Sequence, residues 1–395
     1  MADRAYEVLR DELVPSIGRL ITHAFAGTAE ASEQWIREAG VEQFRVVREK
    51  GRLPEACVLH IPMGQYFGGR SVPMIGIAGV AVAPESRGKG LARWMMLQSL
   101  QEAAAAGAAI STLYASTPSL YRQVGYETAG HRFVSRFGIA SIDAGTREPG
   151  VRPITDHDEE HLRNCYTIFA QRFNGTLDRG EYCWRRTRKN RDVSYQGFGV
   201  EGDNGLDGYI FINQVRDAAT GDHDVAVSDA AFVNGRAARR LLGFLADFAT
   251  MGREALVFGS PLHPLLAPLG DRHISVTKKD YWMLRILNAA KAIESRGYAR
   301  HVQATLQIDL RDPMLSANDG SWTVRVEHGR ATARKESTAR PAIRCDARGL
   351  AAVWSGLYTA SQAALLGWVE GDEAALHTAD SIFAEGGTPW MADMF

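Results

Sequence analysis

The chain is 395 residues long, with 45 Lys+Arg against 46 Asp+Glu, a formal net charge of −1 and a hydrophobic fraction of 45%. Near-neutral charge without a long run of one sign removes bulk electrostatics as a route to nucleic acid or a membrane surface, and no apolar run approaches the roughly 20 residues that span a bilayer. Domains of about 100–150 residues divide this length into two or three, each able to bury a core without disulfides or a structural metal.

Met1–Glu7 lacks the basic-then-apolar layout of a signal peptide, so a cytoplasmic location is expected. Pro15–Ala26 reads as an apolar-periodic helix with Pro15 in its first turn. Arg45–Arg48 and Cys57–Ile61 read as strands. Met74–Val82 is a further strand, with bulges expected at Gly76 and Gly79. Gly90–Ala106 reads as a helix whose buried face carries Ala92, Met95, Met96, Ser99, Leu100 and Ala103, ended by Gly107. Ala109–Ala115 is the next strand, and Thr117–Val124 a short helix closed by Gly125. These elements make a first domain, 1–150.

A second domain, 151–288, repeats the succession: Glu159–Arg172 helical, Tyr195–Val200 and Asp207–Asn213 extended, Ala237–Thr250 helical, Ala255–Phe258 extended. Its basic cluster, Arg185–Lys189, follows Tyr182 and Trp184 and is bracketed by Asp178, Glu181 and Asp192. It reads as a solvated helix face with two core-facing aromatics, not a stacking site for single strands. A third domain, 289–395, opens with a helix, continues with strands Ala304–Asp309 and Trp322–Glu327, and closes with helices near Ala347–Tyr358, Ser361–Gly367 and Asp372–Phe383. Its last residues include Trp390, Met391, Met394 and Phe395, apolar anchors where termini are usually polar, so the tail is expected to dock. Cys57, Cys165, Cys183 and Cys345 lie far apart and at no zinc-ligand spacing, which predicts free thiols and no metal. The fold class is α/β (α+β).

The chemistry concentrates in Val80-Ala-Val-Ala-Pro-Glu-Ser-Arg-Gly-Lys-Gly-Leu-Ala-Arg93, a strand, a turn, a glycine-spaced loop and a helix start. Gly88 and Gly90 let backbone N–H groups approach a ligand, and the helix start adds free donors and a positive dipole end; together they suit a pyrophosphate. The segment has neither the Walker A order nor GxGxxG. Arg87-x-x-Gly90-x-Ala92 matches R/Q-x-x-G-x-G/A and resembles the acyl-CoA loop of the GNAT superfamily of N-acetyltransferases. Downstream, Ser116-Thr-Pro-Ser-Leu-Tyr121-Arg-Gln-Val-Gly125-Tyr126 resembles that superfamily's LY-x-x-x-GF/Y signature. There the first tyrosine protonates the departing thiolate, a task suited to a phenol whose pKa of about 10 keeps it protonated at neutral pH. Tyr126 reads as a core aromatic.

With these motifs, the closing Trp390…Met394-Phe395 and the order of domains, the whole chain resembles the enhanced intracellular survival (Eis) family. That resemblance implies tandem GNAT folds followed by a sterol-carrier-protein-like domain, a homohexamer, and use of the last residue's carboxylate in the first domain's active site. It implies that acetyl-CoA meets Val80, Ala81, Val82, Arg87, Gly88, Lys89, Gly90, Leu91, Ala92 and Arg93, with Ser116 and Thr117 beside the pantetheine arm. For Lys89 and Arg93, phosphate pairing and simple solvation both stand. Tyr121 and Phe395 are the catalytic residues implied.

The imported carboxylate answers a gap in the sequence, since Met74–Val82 and Ala109–Ala115 contain no acid and Glu85, in the turn, reads as solvent-facing. A reference pKa of about 3.3–3.7 makes an α-carboxylate a weak base unless desolvated, so it acts directly, through water, or by binding the amine's charge. In the second domain, Asn234–Arg240 lacks the Arg-x-x-Gly-x-Ala order and reads as a duplicate without a CoA site. The acceptor is expected to be a primary amine of a small molecule. Polycationic aminoglycosides favour an acidic pocket, whereas the segment His23–Trp35 offers Phe25 and Ala26, with Glu30 and Glu33 further on. Protein lysine acetylation, or a non-catalytic CoA- or lipid-binding role, are the alternatives.

Overall fold

The computed structural model describes residues 4–143, 145, 147–203, 205–269, 274–336 and 342–395. Met1, Ala2 and Asp3, part of the leader expectation, lie outside the described residues. In chain order the first elements are β1 (Arg4–Val8), α1 (Val14–Phe25), α2 (Ala29–Ala39), β2 (Phe44–Glu49), β3 (Ala56–Phe67), β4 (Arg70–Val82), α3 (Leu91–Ala105), β5 (Ile110–Tyr114), α4 (Pro118–Arg122) and β6 (Glu127–Gly138). There follow β7 (Val151–Pro153), α5 (Glu159–Ala170), β8 (Leu177–Asp178), α6 (Glu181–Arg188), β9 (Lys189–Asn190), β10 (Val193–Ser194), β11 (Gln196–Gly202), β12 (Gly205–Arg216), β13 (His223–Phe232), α7 (Gly235–Ala246), β14 (Gly252–Gly259) and β15 (Ser275–Ile286). The last are α8 (Ala289–Ser295), β16 (Ala304–Arg311), β17 (Gly320–Glu327), β18 (Arg330–Lys335), β19 (Ala342–Asp346), α9 (Ala347–Ser355), α10 (Ala360–Leu365), β20 (Val369–Gly371) and α11 (Glu373–Phe383).

These elements form two compact units. The first comprises Met1–Ala129, Trp282–Thr388 and Phe395. Its main sheet runs β1-β2-β3-β4-β5 and ends on the Trp282–Ile286 half of β15, antiparallel to β5. β3 and β4 form a long hairpin closed by Gly68 and Gly69, both at positive φ, the pair of conformations that a two-residue hairpin turn demands. α3 lays Leu91, Met95, Met96, Leu100 and Ala103 on this sheet, against Val58, Ile75, Ile77, Leu113 and Tyr121. The face is the one read from periodicity except that Leu91, not the half-buried Ala92, opens it.

Of the two bulges expected in β4, one forms. Cys57 pairs with Ala81 and Leu59 with Ala78, so Gly79 and Val80 together face Val58. Gly79 takes φ 57°, and a Cβ there would lie 2.8 Å from the Trp35 ring. Gly76 stays in register. Its missing side chain leaves room for Met63 and the Phe395 ring instead. The same unit holds a second sheet, β18-β17-β16-β19-β20, covered by α9, which is buried along its length with Trp354 at 0% exposure. Gly68 and Gly297 touch backbone to backbone, a Cβ on either coming about 2 Å from the other's carbonyl oxygen, so only glycines fit.

The second unit comprises Gly130–Tyr281 and Pro389–Met394. Its sheet runs β6-β14-β13-β12-β11-β7. The hairpin β12–β13, helix α7 and strand β14 parallel to β13 repeat the order of β3–β4, α3 and β5. Leu241, Leu242 and Leu245 of α7 pack on Val225, Val227, Ala255 and Val257. On α6, Trp184 is buried as expected, but Tyr182 is half-exposed because it lies one residue off the helix's apolar stripe.

Candidate active site

β4 and β5 begin as a parallel pair and then part. Their pairing runs through Met74–Ile110, Ile75–Ser111 and Gly76–Thr112 only, although β4 continues to Val82 and β5 to Tyr114. The bulge at Gly79–Val80 bends β4 just beyond that point. A wedge opens between the strands, lined on one side by backbone groups of Ile77–Val82 that β5 does not engage. Val80 and Val82 are half-buried along it and Ala81 is buried.

The loop from Ala83 to Gly90 is built on a fixed base. The Ala83 N–H donates to the Glu55 carbonyl (2.8 Å), and the buried Ser86 hydroxyl donates to the Glu55 carboxylate (2.7 Å), itself paired with Arg4 at 2.6 Å. The hydrogen bond from Arg4 holds the Glu55 carboxyl below its usual range. Above the base, Arg87, Gly88, Lys89 and Gly90 are exposed. Gly88 and Gly90 adopt φ 74° and 75°, and a Cβ on Gly88 would meet no protein atom within 4 Å. Gly90 is the N-cap of α3 and supplies no side chain to it, so the first-turn N–H groups of Leu91, Ala92 and Arg93 have no side-chain acceptor at the cap. This geometry fits a pyrophosphate. Arg87 Nε donates to the Val82 carbonyl (3.2 Å) and Lys89 Nζ to the Glu85 carbonyl (2.8 Å), while Arg93 is exposed.

The corresponding place in the second unit differs in both respects. Only Val233 and Asn234 separate β13 from α7, too short a link for a cradle, and the Asn234 side chain already accepts the Ala237 N–H (2.9 Å). A polar cap has taken the donor that a phosphate would use.

Across the wedge, Ser116 and Thr117 are exposed in the turn after β5, and Tyr121 follows on α4. The Tyr121 side chain is buried, 6% exposed, and its hydroxyl has no hydrogen-bond partner among the described residues. Burial pushes its pKa up to about 12, so the phenol holds its proton throughout the neutral range. Its ring stands edge-on to Tyr126, whose hydroxyl is 2.6 Å from Ser111 Oγ in the core, as the reading of Tyr126 anticipated.

The last residue also belongs to this unit. The Phe395 ring sits edge-on to Tyr114 with centroids 5.8 Å apart, and it lies so close to Gly76 that a Cβ there would be 2.9 Å from it. Tyr114 and Gly76 mark the two strands where the wedge begins. Two acids lie near these motifs in the sequence. Glu85 is exposed. Glu127 is fully buried, and although burial pushes its pKa up, hydrogen bonds from Arg122, the Thr128 N–H and Arg348 outweigh that and hold it below the usual carboxylate range. Two guanidinium groups cover it, so it cannot take a proton from a substrate. Two buried histidines offer no charged form at neutral pH: His60, bonded to Ser99 at 2.6 Å, and His263 are both driven by burial to about 4.

Within the second unit, the preceding tail residues are held individually. Trp390 packs on Phe173 and His263 and is 5% exposed, and Met391 is fully buried. Met394, read as an anchor, is instead 43% exposed; what is held there is its carbonyl, by Arg186 Nε at 3.0 Å. Arg132 Nε donates to the Ala392 carbonyl at 2.8 Å. Asp393 meets the buried Arg179 at 2.8 Å, and Arg179 in turn forks onto Asp229 at 2.6 and 2.8 Å over the Tyr166 ring. Sequence reasoning missed this cluster. Its members lie 50 and 214 positions apart, and no local pattern joins them.

Along α1 and α2, Phe25 is half-exposed at the end of α1, and Trp35 closes over the β4 bulge while standing edge-on to Phe44. Glu30 and Glu33 line an open face of α2 with Gln34, Arg37 and Glu38. Among the described residues no group of His, Cys, Asp and Glu is arranged to hold a metal ion, and no helix is long and apolar enough to cross a membrane.

Comparison with known proteins gives the same succession of parts. Residues 5–129 and 175–286 each match an acetyltransferase (GNAT) domain, and residues 289–392 match a sterol carrier protein domain. An N-acetyltransferase of Streptomyces griseus, not otherwise characterised, is 27% identical over 95% of this chain and 92% of its own length. The N-acetyltransferase Eis of Mycobacterium tuberculosis is 27% identical over 79% of this chain and 78% of its own. The crystal structure of a GCN5-related N-acetyltransferase from Anabaena variabilis superimposes with a TM-score of 0.93 at 30% identity, covering 99% of this chain and 100% of that one.

Proposed function

Because the chain belongs to the Eis-like family of GCN5-related N-acetyltransferases and is an acyltransferase, we propose that it moves the acetyl group of acetyl-CoA directly to a primary amine of a small molecule. In this reading the pyrophosphate rests on the N–H groups from Gly88 to Arg93, and the pantetheine arm lies in the wedge between β4 and β5 beside Ser116 and Thr117. The thioester carbonyl then faces the bulged strand, whose backbone N–H groups polarise it. The amine nitrogen attacks that carbonyl carbon, the C–S bond breaks, Tyr121 gives its proton to the leaving sulfur, and the surplus proton on nitrogen passes to the Phe395 carboxylate, directly or through water. Most of the acceleration comes from holding amine and thioester together.

The observation that carries this reading is the seat of Phe395 against Gly76 and Tyr114, where β4 and β5 part. It supplies a carboxylate to a wedge whose own strands have none. The second unit, with only a two-residue link before α7, is read as a non-binding duplicate. The homohexamer implied by family likeness belongs to the same proposal. Phe25 and Ala26 stand where an acid would favour a polycation, with Glu30 and Glu33 further along α2, and this favours an amine more apolar than an aminoglycoside. A panel of amines, including a lysine peptide and an aminoglycoside, assayed for thiol release from acetyl-CoA tests the proposal. Release with a small amine supports it. Tight acetyl-CoA binding with no release from any acceptor would mark a CoA sensor instead.

A further inference from the structure

α4 is barely more than one helical turn, too short to hold its own place. What locates Tyr121 is the turn that follows: its carbonyl accepts the N–H groups of Val124 (3.0 Å) and Tyr126 (3.1 Å). That turn is gripped twice by charged groups. Arg285 on β15 lies against Gly125, where an added Cβ would come within 2.7 Å of its Nε. It donates to the Val124 carbonyl (3.0 Å) and pairs with Asp312 (2.7 Å), both ions almost fully buried.

The second grip is Glu127, at 0% exposure. It accepts from Arg122 Nη2 at 2.8 Å, and from Arg348 Nε at 2.9 Å and Nη2 at 2.5 Å. Arg122 is the neighbour of Tyr121, and Arg348 lies in the first turn of α9, inside the sterol-carrier-like segment. One buried carboxylate needs one counter-charge, and the fork from Arg122 with the Thr128 N–H already provides for it. The second guanidinium, brought from 221 positions away, adds a tie between α9 and the turn that carries the phenol.

We propose that Arg348, acting through Glu127 and Arg122, is a positioning residue for the proton donor, so that the sterol-carrier-like segment sets the reach of Tyr121. This inference rests on Tyr121 giving its proton to the leaving thiolate. The test is a double-mutant cycle on the full chain, with kcat and the KM for acetyl-CoA measured separately. Arg348→Met keeps the stem and removes the fork. The expected loss in kcat is about tenfold, less than the roughly 10² that a misplacement of about 1 Å can cost, with the KM for acetyl-CoA unchanged. Arg348→Lys recovers part of the loss and covers the case in which the Met variant fails to fold. In a Tyr121→Phe background, Arg348→Met costs nothing further, because the group it positions is gone. If both losses multiply in the double mutant, or if Arg348→Met turns over at the wild-type rate, the inference is overturned while the role of Tyr121 stands. If Tyr121→Phe alone leaves kcat unchanged, the general-acid reading falls and takes this inference with it.

Discussion

Gly76→Ala probes the seat of Phe395 from the strand side, without touching the tail. A Cβ at residue 76 would stand 2.3 Å from Met63 Cε and 2.9 and 3.2 Å from two carbons of the Phe395 ring, where ordinary contacts begin near 3.4 Å. Met63 offers a flexible methyl end and can swing aside. The ring cannot bend, so it must retreat by about 0.5–1 Å, carrying the terminal carboxylate with it. The backbone at Gly76 is ordinary strand in register with Ile61 and Thr112, so alanine strains no dihedral there. Overpacking of this kind costs about 1–3 kcal/mol. A catalytic group displaced by ~1 Å can cost about 10² in rate. The expected outcome is therefore a folded protein with a modestly lower Tm, unchanged acetyl-CoA affinity by calorimetry, and kcat/KM for the amine reduced 10- to 100-fold. Wild-type kcat/KM in a folded Gly76→Ala protein would refute the idea that the position of the Phe395 carboxylate matters.

Two further substitutions separate the parts of the site. Tyr121→Phe removes one oxygen from a buried side chain that makes no hydrogen bond to described residues. It should leave acetyl-CoA affinity and Tm nearly unchanged while lowering kcat by about 10²–10⁴ in steady-state thiol release. Gly90→Val forces a branched residue into φ 75° and puts a Cβ at the mouth of the cradle. Acetyl-CoA binding by calorimetry should vanish with the circular dichroism retained.

Much of this site was legible in the sequence because its parts are local. The glycine spacing 88–90, the helix that follows and Tyr121 on the short helix after the next strand are short-range patterns, and each folds as its spacing implies. The bulge was legible at Gly79, where φ is positive, but not at Gly76, whose lost side chain serves a contact with the far end of the chain. The tail was half legible. Trp390 and Met391 bury themselves as apolar residues do, whereas Met394 stays exposed and the chain is held there through its carbonyl. Strand β13 escaped notice because Asp224, Ser228 and Asp229 interrupt its apolar alternation. Asp229 is tolerated there because Arg179 and the Tyr209 hydroxyl cover it. Pairings of that kind, like Glu127 with Arg348, are made by the tertiary fold and leave no periodic trace.

The central claim is that the last carboxylate of the chain works in the acetyl-transfer site. A single glycine added after Phe395 turns that carboxylate into an amide, removing its charge and lengthening a residue seated against Tyr114 and Gly76. The measurement is the rate of acetyl transfer to one good amine by this extended chain, beside a chain carrying the same glycine at its N-terminus. Both proteins are matched for oligomeric state and acetyl-CoA affinity. A loss of about 10² or more confined to the C-terminal extension is the predicted result; equal rates would contradict it.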